Sequence, residues 1–179
     1  TPDLRSAYAL QTPDDSKALY RSWAATYDAT FADAMGYAAP TRIAALFDGR
    51  WQGGGCILDV GCGTGLVAEA LTARPVDGLD ISAEMLAVAA GKDIYGRLIE
   101  GDLTARLKIP DQTYSGLISA GTFTHGHVGP EALREMIRIT KRGGYICFTV
   151  RKQEWEASPY RQIINDLEES QAWQKLEHI

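Results

Sequence analysis

The chain is short of cysteine, of histidine and of basic charge. Its 179 residues contain three cysteines and three histidines. Cys56, Cys62 and Cys147 are odd in number and show no zinc-type spacing, so neither a disulfide framework nor a metal site is expected. Free thiols of this kind read as a reduced, cytoplasmic setting. Against 23 Asp and Glu stand only 18 Lys and Arg, a formal net charge of −5. Binding to nucleic-acid phosphates calls for a basic footprint, so nucleic acid is not an expected partner. No apolar run approaches the ~20 residues that span a bilayer, and no signal peptide is visible, so no membrane partner is expected either. The first residue is Thr1, not Met, which reads as a trimmed start. Repeats and low-complexity tracts are lacking as well.

What is present is a globular composition, 45% hydrophobic, at a length that suits one domain with a sizeable core. The most telling stretch is Ile57-Leu58-Asp59-Val60-Gly61-Cys62-Gly63-Thr64-Gly65. Its apolar start reads as a buried parallel strand. The glycines let the backbone turn sharply and approach a ligand closely. Leu66 to Leu71 then reads as the start of a helix whose free N–H groups face that ligand. Strand, glycine turn and helix make a nucleotide-type cofactor site.

Val76-Asp77-Gly78-Leu79-Asp80 reads as the second strand, ending on an acid roughly twenty residues after Gly61. In doubly wound α/β folds an acid at that place reaches the ribose hydroxyls of an adenosine cofactor. A carboxylate suits a diol because it accepts two charge-assisted hydrogen bonds. The competing role for Asp80 is in the N-cap region of the next helix, although Ser82 is the better cap. Dinucleotide sites favour G-x-G-x-x-G, whereas here Leu66 stands where the last glycine would be.

Strands are predicted near 56–60, 76–80, 95–99, 114–120 and 144–150, with helices near 64–72, 82–90 and 130–140 between them. That alternation implies right-handed crossovers and a mainly parallel sheet. Asp15 or Ser16 can cap an earlier helix carrying Leu19, Trp23 and Tyr27, and Pro40 opens another through Phe47. Gly53-Gly54-Gly55 separates an N-terminal helical lid segment, residues 1–55, from the core, residues 56–179. A last helical stripe runs through Tyr160, Ile163, Ile164, Leu167 and Trp173.

Leu58 to Gly65 closely resembles the first motif of class I S-adenosylmethionine (SAM)-dependent methyltransferases. Asp80 matches the acid that follows that motif, and Ser82-Ala83-Glu84-Met85-Leu86 resembles the next helix start. Glu100-Gly101-Asp102-Leu103 resembles the adenine-edge motif, and Lys141-Arg142-Gly143-Gly144 stands where the family has Lys-Pro-Gly-Gly. Tyr20 to Asp28 resembles the W-A-x-x-Y-D lid segment of small-molecule methyltransferases. Within the family the chain is most similar to methyltransferase-like proteins of the Williams–Beuren syndrome region type. Ubiquinone and menaquinone biosynthesis enzymes are more distant. Gly116, where the family's Tyr-Asp pair has Asp, and Arg142, where it has Pro, depart from the pattern.

The resemblance implies an α/β, doubly wound, Rossmann-like fold of class I methyltransferase type, with helices on both faces of the sheet. It also implies SAM as cofactor and S-adenosylhomocysteine (SAH) as product. Gly61, Cys62 and Gly63 would lie beside the amino-acid and ribose part, and Asp59 would order the loop and the amine. Asp80 would take the ribose, Ile81 and Met85 would pack on adenine, and Asp102 and Leu103 would read its edge. Ala120 and Gly121 would sit near the methionine tail, while Tyr20 and Tyr27 would close the lid. The plainer roles are loop support for Asp59, a turn residue for Asp102, and packing for the aromatics. His125, in the loop after the fourth strand, is the candidate general base, and no metal is assigned.

The family usually continues with two more strands. Here they are apparently absent from a chain that stops at Ile179, so a missing C-terminal part or a second copy in a homodimer is expected to cover the sheet edge. The expected activity is methyl transfer from SAM to a small molecule. A SAM-binding module without turnover and an NAD(P)-dependent oxidoreductase are the alternatives.

Overall fold

Alternation of side chains along buried strands organises the molecule. The structure, a computed structural model, describes residues 13–28, 37–73, 75–123, 128–157 and 159–175. β1 (Ile57–Val60) is buried at every position. It pairs in parallel with β2 (Val76–Asp80), Ile57 opposite Val76, and with β4 (Tyr114–Phe123), Ile57 opposite Gly116. β3 (Leu98–Glu100) lies outside β2, and β5 (Thr140–Val150) lies outside β4. All pairings in the sheet, of order β3-β2-β1-β4-β5, are parallel. The chain reverses its direction of travel at β1, so a crevice opens beyond the carboxyl ends of β1 and β4.

Successive residues of a strand face opposite sides, and the two cores follow that rule. Ile57, Val76 and Ile118 pack with Ile43 and Phe47 of α2 (Ala39–Arg50) and Val67 of α3 (Leu66–Ala70). Leu58, Val60, Leu79 and Leu117 pack with Leu133 and Met136 of α5 (Leu133–Ile139) and Tyr160 and Ile164 of α7 (Tyr160–Glu169). Each large apolar side chain so buried contributes about 1.5–3 kcal/mol. α4 (Ala83–Ala90) begins at Ser82, whose hydroxyl accepts from the Met85 N–H at 3.2 Å. α1 (Pro13–Trp23) and the short turn Ala24–Thr26 lie against α4, with Arg21 paired to Glu84 at 2.9 Å. α6 (Lys152–Ala157) links β5 to α7.

Two strands start elsewhere than the pattern predicts. β3 begins at Leu98, not at Tyr95, because the Tyr95 hydroxyl turns inward to donate to Asp59 at 2.7 Å. β5 begins at Thr140, and its register against β4 shifts between Tyr114 and Gly116, where Gly143 adopts a φ of +74°. Among the described residues β5 pairs only with β4, and its Tyr145 to Val150 are half-buried.

Gly116 has a packing reason. A Cβ there would stand 2.7 Å from Phe47 Cζ and 3.1 Å from Trp51 Nε1, and Phe47 is wholly buried. Gly116→Ala is therefore expected to cost about 1–3 kcal/mol by overpacking. Thermal unfolding should show a Tm lower by roughly 2–12 °C. An unchanged Tm would mean the Phe47–Trp51 stack yields freely.

Candidate cofactor site

The loop after β1 is held by main-chain bonds. Gly61 and Cys62 both donate their N–H to the Leu79 carbonyl, at 2.7 and 2.9 Å. Gly61 has a φ of +69°, and a Cβ on it would collide with the Thr122 hydroxyl. That hydroxyl donates to the Val60 carbonyl at 3.1 Å, beside Ser119, which donates to the same oxygen at 2.7 Å. The loop is thus pinned to β2 on one side and β4 on the other.

Asp80 ends β2 facing this loop. One of its oxygens accepts from the Gly63 N–H at 2.8 Å and the other from the Ser82 N–H at 2.9 Å. A carboxylate offers about four lone-pair sites, so acceptor capacity remains for a diol. Burial raises its pKa, opposed by the N–H groups of Ser82, Gly63 and Ile81.

Asp59 lies beneath the loop and is fully buried. Its Oδ2 accepts from the Tyr95 hydroxyl, and its Oδ1 is buried without a hydrogen-bond partner. Burial pushes its carboxyl up to about 7; the Tyr95 bond opposes this, the charge of Asp80 adds to it, and the Ala68 N–H lowers it. No cationic side chain figures among the groups that shift Asp59 or Asp80. The Cys62 thiol is pushed far up by burial and by both acids, which keeps it neutral and unreactive.

The N-terminal portion forms the opposite wall. Trp23 is 1% exposed and meets Tyr27 edge-on at 5.1 Å and Tyr20 in a stack at 6.3 Å. Burial raises the Tyr27 hydroxyl pKa, and Tyr20, Tyr37, Asp28 and Asp80 add to the rise. Asp28 ties this wall to the loop, accepting from the Thr64 hydroxyl and from Lys92 Nζ, the latter at 2.7 Å. Lys92 also reaches Glu69 of α3 at 2.8 Å.

These elements line a cavity of about 320 Å³ that is partly open to solvent. Of the residues singled out in the sequence, Tyr20, Tyr27, Gly61, Cys62, Gly63, Asp80, Ile81, Met85, Leu103, Ala120 and Gly121 line it. Asp59 and Asp102 do not. Asp102 Oδ1 accepts from the Thr104 N–H at 2.8 Å and the Thr104 hydroxyl at 2.6 Å, the turn arrangement weighed as its alternative role. His125 lies outside the described residues. Trp23, read from the sequence as a packing residue, lines the cavity too, and the sequence reading left out Thr64, Thr122, Thr149 and Arg151, which also line it. The signal for the last three is positional, since ligands in such sheets bind beyond the carboxyl ends of strands. Among the described residues no cluster of His, Cys, Asp and Glu is placed to hold a metal, and no helix is long and apolar enough to cross a membrane.

The cavity's chemistry fits SAM. Acceptor capacity on Asp80 suits the ribose diol, and Ile81, Met85 and Leu103 offer an apolar wall to adenine. The aromatic wall suits a ligand that brings positive charge. Residues 58–148 match the family described as "Methyltransferase domain". The human "Methyltransferase-like protein 27" is 30% identical over 97% of this chain and 74% of its own length. A malonyl-[acyl-carrier protein] O-methyltransferase from Pectobacterium atrosepticum is 36% identical over 68% of this chain, which spans 44% of that protein. Among solved structures, a DhpI–SAH complex superposes with a TM-score of 0.59 at 25% identity, covering 76% of this chain and 67% of the other. The chain belongs to this methyltransferase family, and it is a class I, SAM-dependent member of it.

Proposed function

We propose that this chain transfers the methyl group of SAM to a small-molecule acceptor in the cavity at the carboxyl ends of β1, β4 and β5. The observation that carries the reading is the aromatic wall that stands over one side of that cleft. The aromatic wall of Tyr20, Trp23 and Tyr27 covers the glycine loop and is fastened to it through Asp28, Thr64 and Lys92. A cleft covered in this way suits a compact acceptor better than a polymer, and its volume of about 320 Å³ is at the scale of small-molecule sites.

Bound SAM supplies a methyl group made electrophilic by the attached sulfonium. The residues divide the remaining work along the sheet. Asp80, with Ile81, Met85 and Leu103, would hold the nucleoside at the β2 and β3 side. Gly61 and Gly63 bring backbone close, and Asp59 beneath them would favour the cationic amine. Ala120, Gly121 and Thr122, at the end of β4, stand where acceptor and methyl would meet. Alignment there supplies much of the acceleration, since an oriented nucleophile reacts as though at very high local concentration. His125 remains the candidate base from the loop that follows. Residues 13–28 would act as lid, while α2 packs in the core with the strands, and the free thiols Cys56, Cys62 and Cys147 suit a reducing, cytoplasmic compartment.

The test is release of SAH when the protein is incubated with SAM and fractionated small-metabolite extracts, compared with protein and RNA fractions. SAH formation with the small-molecule fraction alone is the expected result. Turnover only with macromolecules would reassign the acceptor. Tight SAM binding with no turnover on any fraction would favour a binding module.

A further inference from the structure

We infer that Lys92 is the latch of the lid: its ammonium bridges the lid to the helix behind the glycine loop and sets how long the lid stays closed over bound cofactor. This rests on the reading of residues 13–28 as a lid.

Lys92 Nζ lies 2.7 Å from Asp28 Oδ2 and 2.8 Å from Glu69 Oε2. Asp28 directly follows Tyr27, which lines the cavity. Glu69 belongs to α3, and its N–H donates to the Gly65 carbonyl at 3.0 Å, so the glycine turn fixes its place. The other Asp28 oxygen accepts from the hydroxyl of Thr64, a residue 1% exposed within that turn. A single carboxylate of the lid thus takes a hydrogen bond from the cofactor loop and an ion pair from Lys92. Lys92 itself is placed by the end of α4, where its N–H donates to the Ala89 carbonyl at 3.1 Å. It does not line the cavity, so it is a positioning residue that acts through Asp28.

Exposed ion pairs contribute little because water and salt screen them. The Arg21–Glu84 pair of the same lid is of that kind, with the arginine side chain 69% exposed. The Lys92 side chain is 19% exposed and meets two carboxylates at once. Burial lowers its pKa, yet the hydrogen bonds and charges of Asp28 and Glu69 outweigh this and hold it above the ordinary lysine value. Two carboxylates that touch one ammonium nitrogen repel each other once that charge is gone. The repulsion falls across the seam between lid and core, and opening the lid is the movement that relieves it. Lid opening commonly limits release of a bound product.

The test is the rate at which radiolabelled SAH and SAM leave the protein, measured by rapid mixing with unlabelled cofactor. From Lys92→Gln both should leave about threefold to tenfold faster than from the parent, the scale of a partly shielded double ion pair. Lys92→Arg still reaches both acids and should restore most of the lifetime, and Arg21→Gln should leave it unchanged. Raising salt to about 0.5 M should speed release from the parent and not from Lys92→Gln, because the bridge is what salt screens. In the SAH complex, hydrogen exchange of residues 13–28 should rise in Lys92→Gln while that of β1 and β2 stays as in the parent. Three outcomes overturn the inference. Unchanged release from Lys92→Gln would show that the bridge does not hold the lid. An equal loss of protection in β1 and β2 would make Lys92 a plain stabiliser of the fold. Tighter SAM with unchanged SAH would mean that its charge acts directly on the sulfonium. Tyr27→Ala separates the latch from the lid reading beneath it. Faster release from Tyr27→Ala with unchanged release from Lys92→Gln would remove the latch alone, and unchanged release from both would remove the lid as well.

Discussion

Replacing Asp80 by alanine is expected to weaken SAM and SAH by about 1.5–3 kcal/mol, roughly 10- to 150-fold in Kd. The carboxylate already orders the site before any ligand arrives. It accepts from the Gly63 N–H on the loop and from the Ser82 N–H at the start of α4. Alanine therefore removes the acceptor for the diol and also leaves two backbone donors seeking new partners. Asp80→Asn separates these effects. An amide keeps one acceptor oxygen but has no charge and offers N–H where the diol needs lone pairs, so it should still lose most of the affinity with a smaller loss of Tm. Calorimetric titration with SAM, SAH and NADH measures both variants against the parent. Binding of the first two and not of NADH is the expected pattern. An Asp80→Ala protein that binds SAM as tightly as the parent would sink the ribose role.

Asp59 should make the ligand-free protein less stable as pH rises. Burial raises its folded-state carboxyl to about 7, against an ordinary value of 3.8. The folded chain therefore keeps this proton where the unfolded chain has released it. The resulting stabilisation is complete below about pH 4 and is lost progressively as pH rises to about 7, on the order of 4 kcal/mol in all. The Tyr95 hydroxyl and the Ala68 N–H both oppose the shift, yet burial outweighs them. Asp59→Asn removes the ionisation and retains an acceptor for Tyr95. Denaturant unfolding at pH 5 and pH 8 should show the parent losing about 2–3 kcal/mol relative to the variant over that interval. Parallel pH profiles for the two proteins would show that Asp59 ionises normally in the fold.

The parts of the fold and site legible in the sequence are those that local chemistry dictates. Ile57 to Val60 reads as a buried strand because four apolar or partnered positions precede a glycine turn, and it is the central strand, buried on both faces. Ser82 reads as a helix cap because its hydroxyl needs only an N–H three residues on. Asp80 reads as a site residue because it must end the strand beside the glycine loop, and it does line the cavity. The remaining features depend on groups brought together across the sheet. Tyr95 leaves its strand to reach Asp59, 36 residues earlier. Gly116 is needed because Phe47 of a distant helix rests on it. Asp102, on its own, resembles an adenine contact as much as a turn, and the placement of Thr104 occupies one of its oxygens.

From sequence alone come the α/β class, the cofactor family and the nucleoside half of the cavity, because strand period, glycine turns and capping act within a few residues. The tertiary structure alone brought Thr122, Thr149 and Arg151 to the far end of the cavity. It also decided the ionisation of Asp59. Neighbours from separate strands set both, and the spacing of one segment holds no record of which side chains will face each other across a sheet.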